Sequence, residues 1–263
     1  SAASDVYKRQ GGNRFGHSLS LSDDGSILAV GSPNREINGG DKNGSVRVFQ
    51  LINNEWENFG NPIPGRNRVD DLGLATSLSG DGLTVAMSIS DFNGIGRVRA
   101  YKSINGFWQQ IGGVDYSLVG DGNQDYFGTS IDLNYDGTRI VIGAPGHDAQ
   151  ITGLDGSTSE TFNGGQVKVF ELSNNSADIN NWQWVQLGSD ILNIEQNAGM
   201  GASVTINSAG NFVGIAFPGG SAFGEATGHV KVFKYSPGVQ NLNGGNAGSF
   251  ITSTGWSEHG FRI

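Results

Sequence analysis

Four times along this chain the same set of spacings recurs, and that recurrence limits what it can fold into more than any single motif does. Each unit opens on an apolar residue and a glycine: Phe15-Gly16, Leu72-Gly73, Phe127-Gly128 and Met200-Gly201. A second glycine stands nine residues later, at Gly25, Gly82, Gly137 and Gly210, and six residues beyond it comes a small residue, Gly31, Ser88, Gly143 or Ala216. A G-x-V-[RK]-[VA]-[FY] segment follows, read as GSVRVF, GRVRAY, GQVKVF and GHVKVF. Each unit closes on W-x-x-x-G, at Trp56/Gly60, Trp108/Gly112, Trp184/Gly188 and Trp256/Gly260. Several matched spacings in four copies define a repeat array, in which each unit buries its faces on its neighbours.

Each unit reads as four strands. Strand A alternates (HSLSLS, SIDLN), and strand B is an apolar run such as ILAVG or IVIG, suited to burial on both faces. Strand C puts Val46 and Val48 on one face and Arg47 and Phe49 on the other, as period 2 requires. Strand D carries the Trp, which is expected to pack between neighbouring units. No stretch has a 3.6-residue apolar period, so helix is expected to be minimal. The opening glycines are 57, 55 and 73 residues apart, in the range of a propeller blade with insertions. The fold class expected is all-β: a β-propeller of four-stranded antiparallel blades spanning roughly 14–64, 71–115, 126–191 and 199–263. Tandem sandwiches are the alternative, but they need Greek-key crossovers, and the short A–B link marks a meander.

Composition supports a folded, non-membrane segment. Aromatic residues make up 10% and charged residues 16% of the 263, enough apolar material for a core. The net charge of −9 disfavours nucleic acid and anionic membrane surfaces as partners. No apolar run approaches the roughly 18 residues of a membrane helix. There is no Cys, hence no disulfide framework and no thiolate metal site.

The segment FGTSIDLNYDGTRIVIGAP (127–145) resembles the FG-GAP repeat of integrin α-chain propellers. More closely, the whole of 12–263 resembles the bacterial and algal variant with SLSxDGxxLAVGAP, GxVRVF and WxxxG. Copy 2 departs from it with SIS in place of GAP, and copy 4 with MG and AFP. The resemblance implies a propeller of more than four blades, seven in the integrin type, of which this chain is a fragment; a closed four-bladed ring is the alternative. The first ten residues, SAASDVYKRQ, share nothing with the repeat and resemble the in-frame translation of a sequencing adapter. They are read as non-native, with the natural chain expected to begin further upstream.

The same resemblance raises calcium, because integrin-type repeats wrap it in a D-x-[DN]-x-[DN]-G-x-x-D loop between strands A and B. Copy 3 offers Asp132, Asn134 and Asp136 in that register, but the closing Asp is missing. Copies 1, 2 and 4 carry Ser20, Ser77 and Thr205 at the first ligand position. A tight hairpin with glycine at positive φ accounts for these residues without a metal, so no cofactor is expected and calcium is disfavoured. The recurring strand-C cation (Arg47, Arg99, Lys168, Lys231) reads as a solvated or edge position whose stem covers apolar surface.

No nucleophile elbow, H-E-x-x-H or phosphate loop is present, and the four His fall at different repeat positions. The expectation is therefore a non-enzymatic module that binds a protein or glycan partner, extracellular or on the cell surface. A propeller lectin and an accessory domain of a secreted hydrolase are the alternatives. The B–C connection varies from 8 to 22 residues, Ser88–Gly96 to Gly143–Gly165, while strand spacings stay fixed. Binding residues concentrate on such loops. In the integrin type the B–C and D–A loops share the ligand face. That face would carry Arg35, Glu36, Asp41, Asp121, Asp125, His147, Asp148, Asp155 and Glu160. Sequons stand at Asn43 and Asn174, relevant only in a eukaryotic secreted chain.

Overall fold

The computed structural model describes residues 14–34, 36–37, 41–66, 70–90, 93–114, 116–152, 158–221, 227–237, 250–251 and 255–259. The adapter-like 1–10 lie outside this set. The described chain is all-β, and its one helical element is a single 3-10 turn at Ile179–Asn181.

Among the described residues four antiparallel meanders follow one another. In the first sheet strand A is Ser18–Leu21, B is Ile27–Ser32 and C is Ser45–Ile52; in the second they are Thr76–Leu78, Thr84–Ile89 and Arg97–Ile104. In the third they are Ser130–Leu133, Arg139–Ala144 and Gln166–Ser173; in the fourth, Val204–Ile206, Phe212–Phe217 and His229–Tyr235. Strand D differs from the simple strand the sequence suggests, because in the first three sheets it comes in two pieces. Glu55–Asn58 pairs with the end of strand C and Ile63–Pro64 with its beginning. Phe107–Gln110 with Leu118–Val119, and Gln183–Gln186 with Ile191–Asn193, repeat this. The glycine of W-x-x-x-G sits at the break, with φ of +74° at Gly60, +80° at Gly112 and +77° at Gly188. That left-handed conformation suits only glycine well. In the fourth sheet Trp256–Glu258 pairs with the end of strand C.

The hairpin between A and B is closed by its own side chains. Backbone N–H groups of Ile27, Thr84, Arg139 and Phe212 donate to side-chain oxygens of Ser22, Ser79, Asn134 and Asn207, at 2.7–2.9 Å. Asp24, Asp81 and Asp136 each accept from the backbone N–H two residues on, at 2.9–3.0 Å. The glycines that follow have φ of +66° to +72°. The S/N-x-D-G sequence is thus an Asx-type turn built from local hydrogen bonds.

Neighbouring sheets meet through three apolar cores, one per junction. Between the first and second lie Val46, Val48, Leu78, Met87 and Trp108; between the second and third, Val98, Phe127, Ile140, Ile142 and Trp184. Between the third and fourth lie Val167, Val169, Ile206, Phe233 and Trp256. Fully burying each such side chain stabilises by about 1.5–3 kcal/mol. The Trp indoles cross two of the junctions, Trp108 donating to the Phe59 carbonyl at 2.8 Å and Trp256 to that of Leu187 at 2.7 Å. Small residues are required where strand B meets the next sheet, since a Cβ on Gly31 would overlap Gly73 and one on Gly143 would overlap Gly201.

The A strands are linked across the junctions. Leu78 N–H donates to Ser20 Oγ at 2.8 Å, Leu133 N–H to Ser77 Oγ at 3.0 Å, and Ile206 N–H to Asp132 Oδ2 at 2.8 Å. One repeat position therefore latches each sheet to the next, and the A strands line the inner edge of a radial stack. That is the arrangement of a propeller.

Candidate functional site

Asp132, which stands at the first-ligand position of the calcium-loop pattern, is this latch. Asp132 accepts from Ile206 N–H, Thr205 Oγ1 at 2.9 Å and Ser77 Oγ at 3.2 Å. Asn134 and Asp136 instead close the hairpin, Asn134 Nδ2 donating to Asp136 Oδ1 at 2.9 Å. The register that suggested one ligand set serves two separate tasks. Burial pushes the Asp132 carboxyl up, and its hydrogen bonds do not fully offset that. For Asp136, burial is outweighed by hydrogen bonds from Thr138 and Asn134, which hold the carboxyl below the usual range.

A raised folded-state pKa gives Asp132 a contribution that is present below its unfolded value and lost as pH rises through the folded one. Asp132→Ser, which restores the residue that latches the first two junctions, is expected to gain stability relative to wild type as pH rises through the raised folded-state value of Asp132. Urea unfolding of both at several pH values measures this. A gain in the opposite direction contradicts it.

In sequence the strand-C cations read as solvated or edge positions whose stems cover apolar surface, and the solvated reading is corrected. Arg47, Arg99, Lys168 and Lys231 are all buried, and the last three pair with carboxylates: Arg99 with Asp70 at 3.7 Å, Lys168 with Asp121 at 2.6 Å, Lys231 with Glu258 at 3.1 Å. An unpaired buried charge costs several kcal/mol, so each cation needs its carboxylate. For Arg99, burial lowers the pKa and outweighs the opposing charges.

Around Lys168 the structure brings together part of the expected ligand face. Its Nζ donates to Asp121 Oδ1 and lies 3.9 Å from Asp190. Gln166 Nε2 donates to both Asp121 and Asp190, each at 3.0 Å. Burial raises the Asp121 carboxyl, but hydrogen bonds from Lys168 and Gln166 and the charges of Lys168 and His147 overcome this, holding it below the usual range. His147 Nδ1 meets Asp125 Oδ2 at 3.0 Å. The loop 121–129 is pinned by Asp125, whose Oδ2 also accepts Gly122 N–H at 2.8 Å. The next residue, Tyr126, is half-exposed and packs over Gly94 and Gly146. It walls a cleft of about 80 Å³ whose floor includes Ser88, Ser90, Gly96 and Thr129.

The other expected residues are distributed as follows. Asp148 is exposed and accepts Asn163 N–H at 2.8 Å; Glu160 is exposed on the ribbon Ala149–Thr152/Thr158–Thr161. Phe162, also exposed, follows that ribbon. Glu36 and Asp41 lie in a second ribbon, Glu36–Ile37/Asp41–Lys42, in the first sheet's B–C connection. Arg35 and Asp155 lie outside the described residues. So Asp121, Asp125, His147 and Asp148 assemble at the junction of the second and third sheets, with Glu160 close by in sequence. Sequence reasoning missed Lys168, Gln166, Asp190, Tyr126 and Phe162. The repeat of Lys168 marked it as architecture, and an exposed aromatic at a single copy left no periodic signal. Asn43 has its side-chain oxygen buried, whereas Asn174 is exposed. No helix among the described residues is long and apolar enough to cross a membrane.

No protein-family model and no curated protein sequence matches the chain. Among solved structures it is similar to a Bacteroides uniformis protein with a proposed 6-phosphogluconolactonase activity, at 13% identity and a TM-score of 0.50, over 91% of this chain and 55% of that one. It is also similar to AofleA from Arthrobotrys oligospora (11% identity, TM-score 0.46, 94% and 56% covered) and to the Dos1 propeller (14%, 0.43, 90% and 59%). The chain spans little over half the length of these structures. The likeness is one of fold. The class defined is an all-β protein of propeller type.

Proposed function

We propose that this chain is a non-enzymatic propeller module of FG-GAP-like type, extracellular or on a cell surface, that binds a protein or glycan partner through the loop face at the second–third sheet junction. One observation carries the reading: loops of different length meet at this junction on a rigid scaffold and leave Tyr126, Asp121 and Asp148 exposed, with Asp121 tied to the buried Lys168. An exposed aromatic beside carboxylates fits a partner offering hydrogen-bond donors or positive charge. The repeat resemblance supports the surface location. Lactonase chemistry on an anionic sugar has only the fold in its favour, because Arg99, Lys168 and Lys231 are each already tied to a carboxylate.

The test is a peptide-display library and a glycan array, each probed with the native chain and with the double variant Tyr126→Ser, Asp148→Asn at matched melting temperature. Binders that lose at least about tenfold in affinity with the variant, about 1.4 kcal/mol, support the site. Binders indifferent to it, or none in either library, contradict the proposal.

The module is read as needing no metal. Changing from chelator to millimolar calcium is expected to move the melting temperature by no more than about 3 °C, whereas a site specific to the folded chain, saturated a hundredfold, would give about 2.7 kcal/mol and a larger shift.

A further inference from the structure

The cleft walled by Tyr126 lies where only the third unit carries an aromatic. The residue before each opening pair has positive φ: +48° at Arg14, +42° at Asp71, +54° at Tyr126 and +60° at Gly199. The position suits glycine, and an aromatic is held there at a conformational cost of the kind that clusters at functional places. Tyr126 is fixed nonetheless. Its N–H donates to Gly94 O at 2.7 Å, and its carbonyl accepts Thr129 N–H at 3.0 Å and Thr129 Oγ1 at 2.7 Å. Its ring lies so close to Gly94 and Gly146 that a Cβ on either would come within 3.0 and 2.8 Å of ring carbons. The ring is 51% exposed all the same. A rigid aromatic surface is therefore open to a ligand at little cost in ordering.

The rest of the lining is apolar or hydroxylic. Leu74, 37% exposed, and Phe127 supply apolar surface, and Ser90 and Thr129 bring hydroxyls. The hydroxyls of Tyr126 and Ser90 have no partner among the described residues. Thr129 Oγ1 gives its hydrogen to the Tyr126 carbonyl and can still accept. Among the described residues no charged side chain lines the cleft, in a chain of net charge −9. Strand B of the second sheet, which contributes Ser88 and Ile89, is paired on both sides and offers no free edge to a peptide strand. At about 80 Å³ the space is far below the roughly 300–1,000 Å³ that encloses a metabolite, so it takes one unit of a larger molecule. Resting on the loop face proposed above as a binding surface, we infer that this unit is an uncharged sugar ring of a glycan, its C–H face on Tyr126 and its hydroxyls on Ser90 and Thr129. The polarised C–H bonds of a sugar suit the negative face of an aromatic ring. Its hydroxyls both donate and accept, as those of Tyr126 and Ser90 do. A carboxylate or ammonium would lose its water there with no counter-charge among the described lining.

Saturation-transfer NMR tests this, with the methyl glycosides of glucose, galactose, mannose, fucose, xylose and N-acetylglucosamine as probes and glucuronate and glucosamine as charged controls. At least one neutral glycoside is expected to receive saturation on its ring C–H protons, and neither control. Tyr126→Gly suits the left-handed backbone, so it should fold while affinity falls at least about tenfold. Tyr126→Phe, which keeps the ring, and Ser90→Ala should each cost about three- to tenfold. No saturation of any neutral glycoside, equal saturation with Tyr126→Gly, or equal saturation of the charged controls overturns the inference. Display-selected peptides that depend on Tyr126 and Asp148, with no sugar bound, would overturn it and leave the loop-face reading standing. Binders of neither kind remove both.

Discussion

Gly165→Ala is expected to cost about 3 kcal/mol or more, while the same change at Gly228 costs about 1–2 kcal/mol. Both glycines begin strand C, and both have positive φ, +93° and +68°. The conformational cost of a side chain in the left-handed region is therefore common to the two. What differs is the neighbour. A Cβ on Gly165 would overlap the Met200 backbone of the fourth sheet, where Gly165 and Met200 form a parallel bridge. Backbone cannot rotate aside as a side-chain tip can, so the sheets must part. At Gly228 no following sheet stands among the described residues, and the nearest atom is Pro218 O at 3.1 Å. Gly44 and Gly96 face Leu72 and Phe127 in the same way and should behave like Gly165. Chemical denaturation of the variants gives the comparison directly. Equal losses at 165 and 228 would mean that conformation alone matters and that the junction is not tightly packed.

A second contrast uses the repeated Trp. Trp108→Ala is expected to cost about 3–5 kcal/mol, from lost burial and the cavity left behind. Trp108 is 5% exposed, stacks edge-on against Phe59 at 5.6 Å, and hydrogen-bonds the carbonyl of Phe59 across the junction. Removing it also takes away the partly buried hydrogen bond to that carbonyl. Trp56 has the same place in the first sheet with no sheet before it among the described residues, and its truncation is expected to cost about 1 kcal/mol or less, as surface changes do. Similar losses for both would contradict the assignment of the Trp as a junction residue.

Much of the architecture was legible in the sequence, because each junction contact repeats at fixed spacing. The Phe-Gly opening, the small residue ending strand B, the glycine starting strand C and the Trp all mark places where one sheet touches the next. Side-chain direction was less legible. Ser20, Ser77 and Asp132 sit in a pattern that also suits a metal loop, and nothing local says that their partners lie on strands 56 to 74 residues away. Burial of the strand-C cations was hidden for a similar reason. Asp70, Asp121 and Glu258, their partners, occur at no common spacing, so only the cations looked periodic. The grouping of residues at the second–third junction was half visible. Asp121, Asp125, His147 and Asp148 follow from loop position, whereas Tyr126 and Phe162 are single-copy aromatics whose exposure depends on how Gly94, Gly146 and the ribbon are packed.

The placing of the candidate loop cluster follows from the sheets being stacked as copies of one interface, so that stacking is the claim to test first. Native-state amide exchange, read residue by residue, does so. Leu78, Leu133 and Ile206 donate to side chains of the preceding sheet and are expected to exchange slowly, close to the rate of global unfolding. Leu21 holds the same repeat position with no preceding sheet among the described residues, and it is expected to exchange orders of magnitude faster. Four amides exchanging alike, all fast, would contradict the stacked arrangement.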